Sequence, residues 1–222
     1  GHSKNIPTIL KEYGIDKAMV WRGCCDELQS EFIFNGVNTV NLIRGYFMDI
    51  FSSDISMQEK ANFLKTNLDK IAEKSGETLL LPIGADHLAI PEDIKSQIES
   101  VNFYLDDYEI ELGSPFDYFG TVKFKQKYDG ELRDNSKTFI LQGSYSARTK
   151  LKQLNTECSY KLDLADKIQL NFGNNYEKAI EYAYKLLLQN QAHDSICGCS
   201  TDLVHKENIT RYHKILEITD TI

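Results

Sequence analysis

Two short segments concentrate the side chains that could do chemistry. The first, Gly84-Ala85-Asp86-His87, follows the apolar run Thr78-Leu79-Leu80-Leu81-Pro82-Ile83. In parallel α/β architectures the carboxyl ends of strands face the ligand crevice, and a carboxylate partly desolvated there acquires a raised pKa suited to donating a proton. Asp86 is therefore a candidate general acid. The plainer alternative is an exposed turn aspartate, or a cap for the helix expected from Pro91. The second segment, Gln191 through Thr201, holds His193, Asp194, Cys197 and Cys199 among small residues. A neutral imidazole is a good zinc ligand, and an adjacent carboxylate can accept a ligand hydroxyl or orient the ring. Two alternatives stand beside this: His193 satisfying a helix terminus, or a local zinc set of His193, Cys197 and Cys199. The Cys-x-Cys spacing of the latter is tighter than zinc sites usually have.

Arg22, inside Trp21-Arg22-Gly23 at the end of an apolar stretch, could hold a carboxylate in a fixed orientation through its fork of donors; a surface ion pair is the commoner use of such a residue. His205 and His213 lie eight residues apart on an expected helix and read as solvated or packed side chains. Cys24 and Cys25 have no nearby base in sequence, so no thiol nucleophile is expected.

These residues need elements to position them. Pro7 opens a helix with Ile9, Leu10 and Tyr13 on its apolar face, ended by Gly14. Strands are expected over 18–21 and 39–43, a helix over 58–74, and the firmest strand over 78–83, whose continuous apolar character suits a sheet covered on both faces. A helix over 92–102, a strand over 108–112 and a helix from Ser114-Pro115 through Phe124 follow. Alternation of this kind predicts an α/β layer or barrel with a mainly parallel sheet. From Ser144 onward the pattern is helix upon helix: 145–170, 176–190 and 201–218. The loops are Asn171 to Asn175 and Gln191 to Ser200. The expectation is an α/β domain over 1–142 and an antiparallel three-helix domain over 143–222.

Composition narrows the function classes. Hydrophobic residues at 41% and aromatics at 11% suit a globular core. The net charge of −8, with both signs mixed along the chain, disfavours nucleic acid or an anionic membrane as partner. No apolar run reaches the roughly 20 residues of a membrane span, and no signal peptide opens the chain. Five cysteines without a secreted-framework spacing favour reduced thiols and a cytoplasmic setting.

Four stretches, in order, resemble the family 38 glycoside hydrolases, the zinc-dependent retaining α-mannosidases, particularly the bacterial cytoplasmic ones. Gly1-His2-Ser3, with Pro7 and Ile9-Leu10, resembles the tail of the family's nucleophile motif. Met19 through Gly23 is similar to the strand that follows it. Leu81 through His87 resembles the acid/base segment, and Ala192 through Ser200 the family's His-Asp loop. The resemblance implies Asp86 as general acid/base, His193 as one zinc ligand, Asp194 as a hydrogen-bond partner of the bound mannose and Arg22 as the neighbour that fixes the nucleophile. It implies a two-carboxylate retaining mechanism with a covalent glycosyl-enzyme intermediate, zinc holding two sugar hydroxyls.

Departures from the pattern are equally informative. The family's nucleophile would lie three positions before Gly1, and its His-x-Asp ligand pair earlier still. This chain by itself is therefore expected neither to hold catalytic zinc tightly nor to hydrolyse mannosides. Phe34 stands where the family has tryptophan, and Val37-Asn38-Thr39 where it has Asp-Gly-Ser. The leading expectation is part of an α-mannosidase acting on free mannosides, mannosyl oligosaccharides or a mannosyl-glycerate type solute, with homo-oligomerisation left open. A non-catalytic sugar-binding or scaffold module that kept the fold is the rival.

Overall fold

A computed structural model describes residues 1–46, 48–173 and 175–222, and divides the chain into two compact units, Gly1–Ile140 and Leu141–Ile222. In the first unit, Pro7 sits in the first turn of helix α1 (Ile6–Glu12), where its missing N–H costs nothing, and Gly14 turns the chain at φ 72°. Strand β1 (Lys17–Val20) follows. Strands β2 (Glu31–Phe34) and β3 (Val37–Asn41) form a hairpin across Asn35-Gly36, whose φ values of 45° and 84° are those of a two-residue primed turn. That hairpin was not among the sequence expectations, although Asn-Gly between apolar runs is its usual signal. The expected strand over 39–43 begins earlier, at Val37, and ends at Asn41.

Downstream, Ser56 and Glu59 build a capping box on α2 (Met57–Ala72), which buries Ala61, Leu64, Leu68 and Ile71. Helix α3 (Ile94–Asn102) adds Ile98 and Val101 to the cluster of Met48, Phe51, Ala61 and Leu64. Ser114 and Asp117 cap α4 (Pro115–Thr121), and β4 (Gln126–Tyr128) completes a sheet of order β1-β3-β2-β4. The β1–β3 and β2–β4 pairings are parallel, and β2–β3 is antiparallel. The α/β character stands, as a small four-stranded mixed sheet rather than a run of parallel strands.

Two expected strands are corrected. Residues 78–83 form no strand among the described residues. Leu81 and Ile83 do pack on the α2–α3 cluster, and the segment's end pairs only through the bridge Met48↔Gly84. Apolar character drives that burial, but a strand also needs a neighbour for its amides. Residues 108–112 likewise form no strand among the described residues. There the Asn102 side chain supplies the pairing, donating to the Ile110 carbonyl and accepting from its N–H, both at 2.9 Å. Helix α4 stops at Thr121, short of Phe124, because Gly120 and the extended Val122 end it.

The second unit consists of α5 (Thr149–Phe172), α6 (Glu177–Gln189), the single-turn α7 (His193–Ile196) and α8 (Asp202–Thr221). Helices α5, α6 and α8 pack pairwise. Leu151, Leu154, Cys158, Leu162 and Ala165 recur every three or four residues along α5. They meet Ile180, Ala183 and Leu187 of α6 and Tyr212 and Ile215 of α8 in one core. Gly173, in the left-handed region, closes α5. Asn174, part of the interhelical loop expected over 171–175, lies outside the described residues. Among the described residues no helix is long and apolar enough to cross a membrane.

Candidate functional site

In the first unit, Arg22 directly follows the turn out of β1. One terminal nitrogen donates to the Phe139 carbonyl at 2.8 Å, and its guanidinium lies 4.8 Å from the centroid of the Trp21 ring. Trp21 in turn meets Tyr46 edge-on at 5.2 Å. Gly23 makes this turn possible: its φ is 95°, and a Cβ there would stand 2.1 Å from the Leu132 carbonyl oxygen. The residues opposite are the first of the chain. His2 pairs with Leu132 through two backbone hydrogen bonds, and burial lowers the His2 pKa.

Asp86 stands on a turn after the segment 78–83. Gly84, at φ 125°, exchanges both backbone hydrogen bonds with Met48 at 2.7 and 2.8 Å, and His87 is held at φ 63°. The Asp86 side chain is exposed, so the first unit by itself does not desolvate it.

In the second unit, α7 presents His193 and Asp194 side by side, with Nε2 of His193 3.2 Å from Oδ1 of Asp194. Both face solvent, the imidazole 90% and the carboxylate 62% exposed. The turn is tied from below. The Asp194 carbonyl accepts the N–H groups of Cys199 and Ser200, Ser195 is buried, and Gly198 turns the chain at φ 84°. The Cys199 thiol donates to Oδ1 of Asp194 at 3.2 Å, which raises the thiol's pKa. Arg148 clamps the loop, donating from Nε to the Gly198 carbonyl and from NH2 to Asp202 at 2.6 Å. That ion pair holds the Asp202 carboxyl below its ordinary range. Neither the Arg148 clamp nor the Cys199–Asp194 contact was legible in sequence: Arg148 lies fifty residues from the loop, and no local pattern links them.

The donor chemistry can be weighed against a bound zinc. If Nε2–H of His193 is given to Asp194, Nδ1 keeps the lone pair a metal takes. Among the described residues, however, no three or more His, Cys, Asp or Glu side chains converge in a way that could hold a metal ion. His193, Cys197 and Cys199 therefore do not assemble the local set. One imidazole with a neighbouring carboxylate falls short of the three or four ligands zinc requires.

Residues 140–222 match the family model described as the α-mannosidase middle domain. Over 157 residues, 65% of this chain, the sequence is 36% identical to a curated protein of Halalkalibacterium halodurans that is provisionally named a mannosylglycerate hydrolase. The chain spans 17% of that relative's length.

Proposed function

We propose, proceeding from the chain's being a family 38 α-mannosidase-like protein, that it is a portion of a retaining α-mannosidase, in which an incomplete α/β barrel precedes a three-helix middle domain. The observation that carries this reading is the match of residues 140–222, the stretch that bears His193 and Asp194, to the α-mannosidase middle domain. Arg22 and Asp86 both belong to the first unit.

In this reading Asp86 protonates the glycosidic oxygen and then takes a proton from the water that releases the sugar. The second carboxylate, supplied from outside residues 1–222, attacks the anomeric carbon, and Arg22 holds it by charge and hydrogen bonding. His193 is one ligand of a zinc whose other ligands lie outside this chain, and Asp194 accepts a hydroxyl of the sugar. Because the donors present do not complete a zinc site, no step is assigned to the metal. The acid half of a mannosylglycerate is a candidate aglycone, from the relative's name.

The exposure of Asp86 favours a second reading, a non-catalytic module that retains the glycosidase fold. Assaying the full-length protein on an unactivated α-mannoside separates the two. Metal-dependent release of mannose with retained anomeric configuration supports the enzyme, and no turnover with intact sugar binding supports the module.

A further inference from the structure

The Asp194 carboxylate is held more firmly than its exposure suggests. An aspartate open to water ordinarily samples several side-chain rotamers. Here two donors converge on one of its oxygens: Oδ1 lies 3.2 Å from Nε2 of His193 and accepts the Cys199 thiol, also at 3.2 Å. Among the described residues nothing donates to Oδ2. One oxygen is therefore taken, and the other is left for a ligand.

The two donors differ in how well they are anchored. The imidazole is 90% exposed and belongs to the same single turn as the carboxylate, so it can follow Asp194 but cannot fix it. Cys199 stands on fastened backbone. Its N–H donates to the Asp194 carbonyl at 3.1 Å, which joins the two residues through main chain as well as side chain. Just before it, Gly198 turns at φ 84°, where a Cβ would stand 3.2 Å from the Ala147 carbonyl oxygen. The Gly198 carbonyl accepts Nε of Arg148 at 3.2 Å. Arg148 is itself at φ 48°, a conformation uncommon for a residue with a side chain, and its bond to Asp202 ties the same point to the start of α8.

We infer that Cys199 is a positioning residue: its thiol sets the Asp194 carboxylate so that Oδ1 is occupied and Oδ2 is presented to a sugar hydroxyl. The inference rests on the glycosidase reading for what Oδ2 accepts, not for how the carboxylate is held. A thiol is a weak donor, but a charged acceptor strengthens the bond. Fixing one rotamer in advance removes an ordering cost from each binding event. A hydroxyl held by a misplaced oxygen would also carry the anomeric carbon out of line. Cys199 touches no substrate and acts only through Asp194.

In the full-length protein, Cys199→Ala should lower kcat/KM for an unactivated α-mannoside about two- to tenfold. Cys199→Ser keeps a donor and should recover most of the loss. In an Asp194→Ala background, Cys199→Ala should lower kcat/KM no further, a non-additivity that general loosening of the loop does not produce. Additive losses would overturn the inference, as would no recovery by serine, or turnover unaffected by Asp194→Ala. Alkylation by iodoacetamide, mapped to Cys199 by peptide mass, reads the contact without a substrate. Asp194→Ala should speed it several-fold, because the thiolate is the nucleophile and a neighbouring carboxylate opposes its formation. That acceleration without hydrolysis of any mannoside by the wild type sinks the glycosidase and keeps the positioning. Hydrolysis that falls in Asp194→Ala, with equal alkylation rates, sinks the positioning and keeps the glycosidase.

Discussion

At the scale of single residues, Asp86 and His193 are poised differently from the way their spacing alone suggests. Asp86 follows an apolar segment, as expected, yet its side chain is open to water in the first unit. For it to act as an acid, a further part of the protein or the substrate must cover it and supply the desolvation. Asp86→Asn in the full-length protein should lower turnover of an unactivated mannoside by about 10²–10⁴-fold while leaving metal content unchanged, as followed by product release and elemental analysis. Unaltered turnover defeats the acid/base role. His193→Ala should reduce bound metal in the same protein, and full retention of metal removes the ligand assignment. The two residues stood out in the sequence because His-Asp and Gly-Ala-Asp occur in short local patterns. Their surroundings were not, because Arg148 and Met48 approach from elsewhere in the sequence.

Among the elements, helices proved easier to read than strands. Capping boxes at Ser56 and Ser114 and the three- and four-residue spacing along α5 are encoded locally, where every backbone bond also closes. Strand 78–83 failed for the opposite reason: its residues favour extension, but among the described residues no ladder partner takes up its amides. The amides of Leu79, Leu80 and Leu81 should therefore exchange with deuterium on the order of a hundredfold faster than those of Thr39 and Val40. Equal protection would mean that a ladder forms there. Ser56→Ala removes the acceptor of the Glu59 N–H and should cost the first unit about 1 kcal/mol in chemical denaturation.

For the whole molecule, the two units call for separate tests. Gly23→Ala would force a Cβ against the Leu132 carbonyl at positive φ, so it should destabilise the first unit by about 3 kcal/mol and leave the second unchanged. In the second unit burial pushes Tyr212 up to about 12, and burial with the Asp166 hydrogen bond does the same to Tyr184. The unfolded chain loses these protons near the ordinary tyrosine value of about 10, whereas the folded one holds them longer. The contribution to stability is complete below pH of about 10 and is lost as pH rises towards about 12. Circular dichroism should show the helices melting in that window, together with tyrosine ionisation. Helices that persist after both tyrosines ionise would contradict this.

The sequence alone determined the longer helices, the placement of His193 beside Asp194 and of Asp86 beyond an apolar run, and the family resemblance, because each depends on residues a few positions apart. Tertiary structure alone decided which apolar segments become strands, that Arg22 rests on Trp21 and the Phe139 carbonyl, and that Arg148 reaches the His193 loop. Those outcomes require groups many residues apart to meet, and which of them meet is settled by the packing of whole elements rather than by the preferences of any one segment.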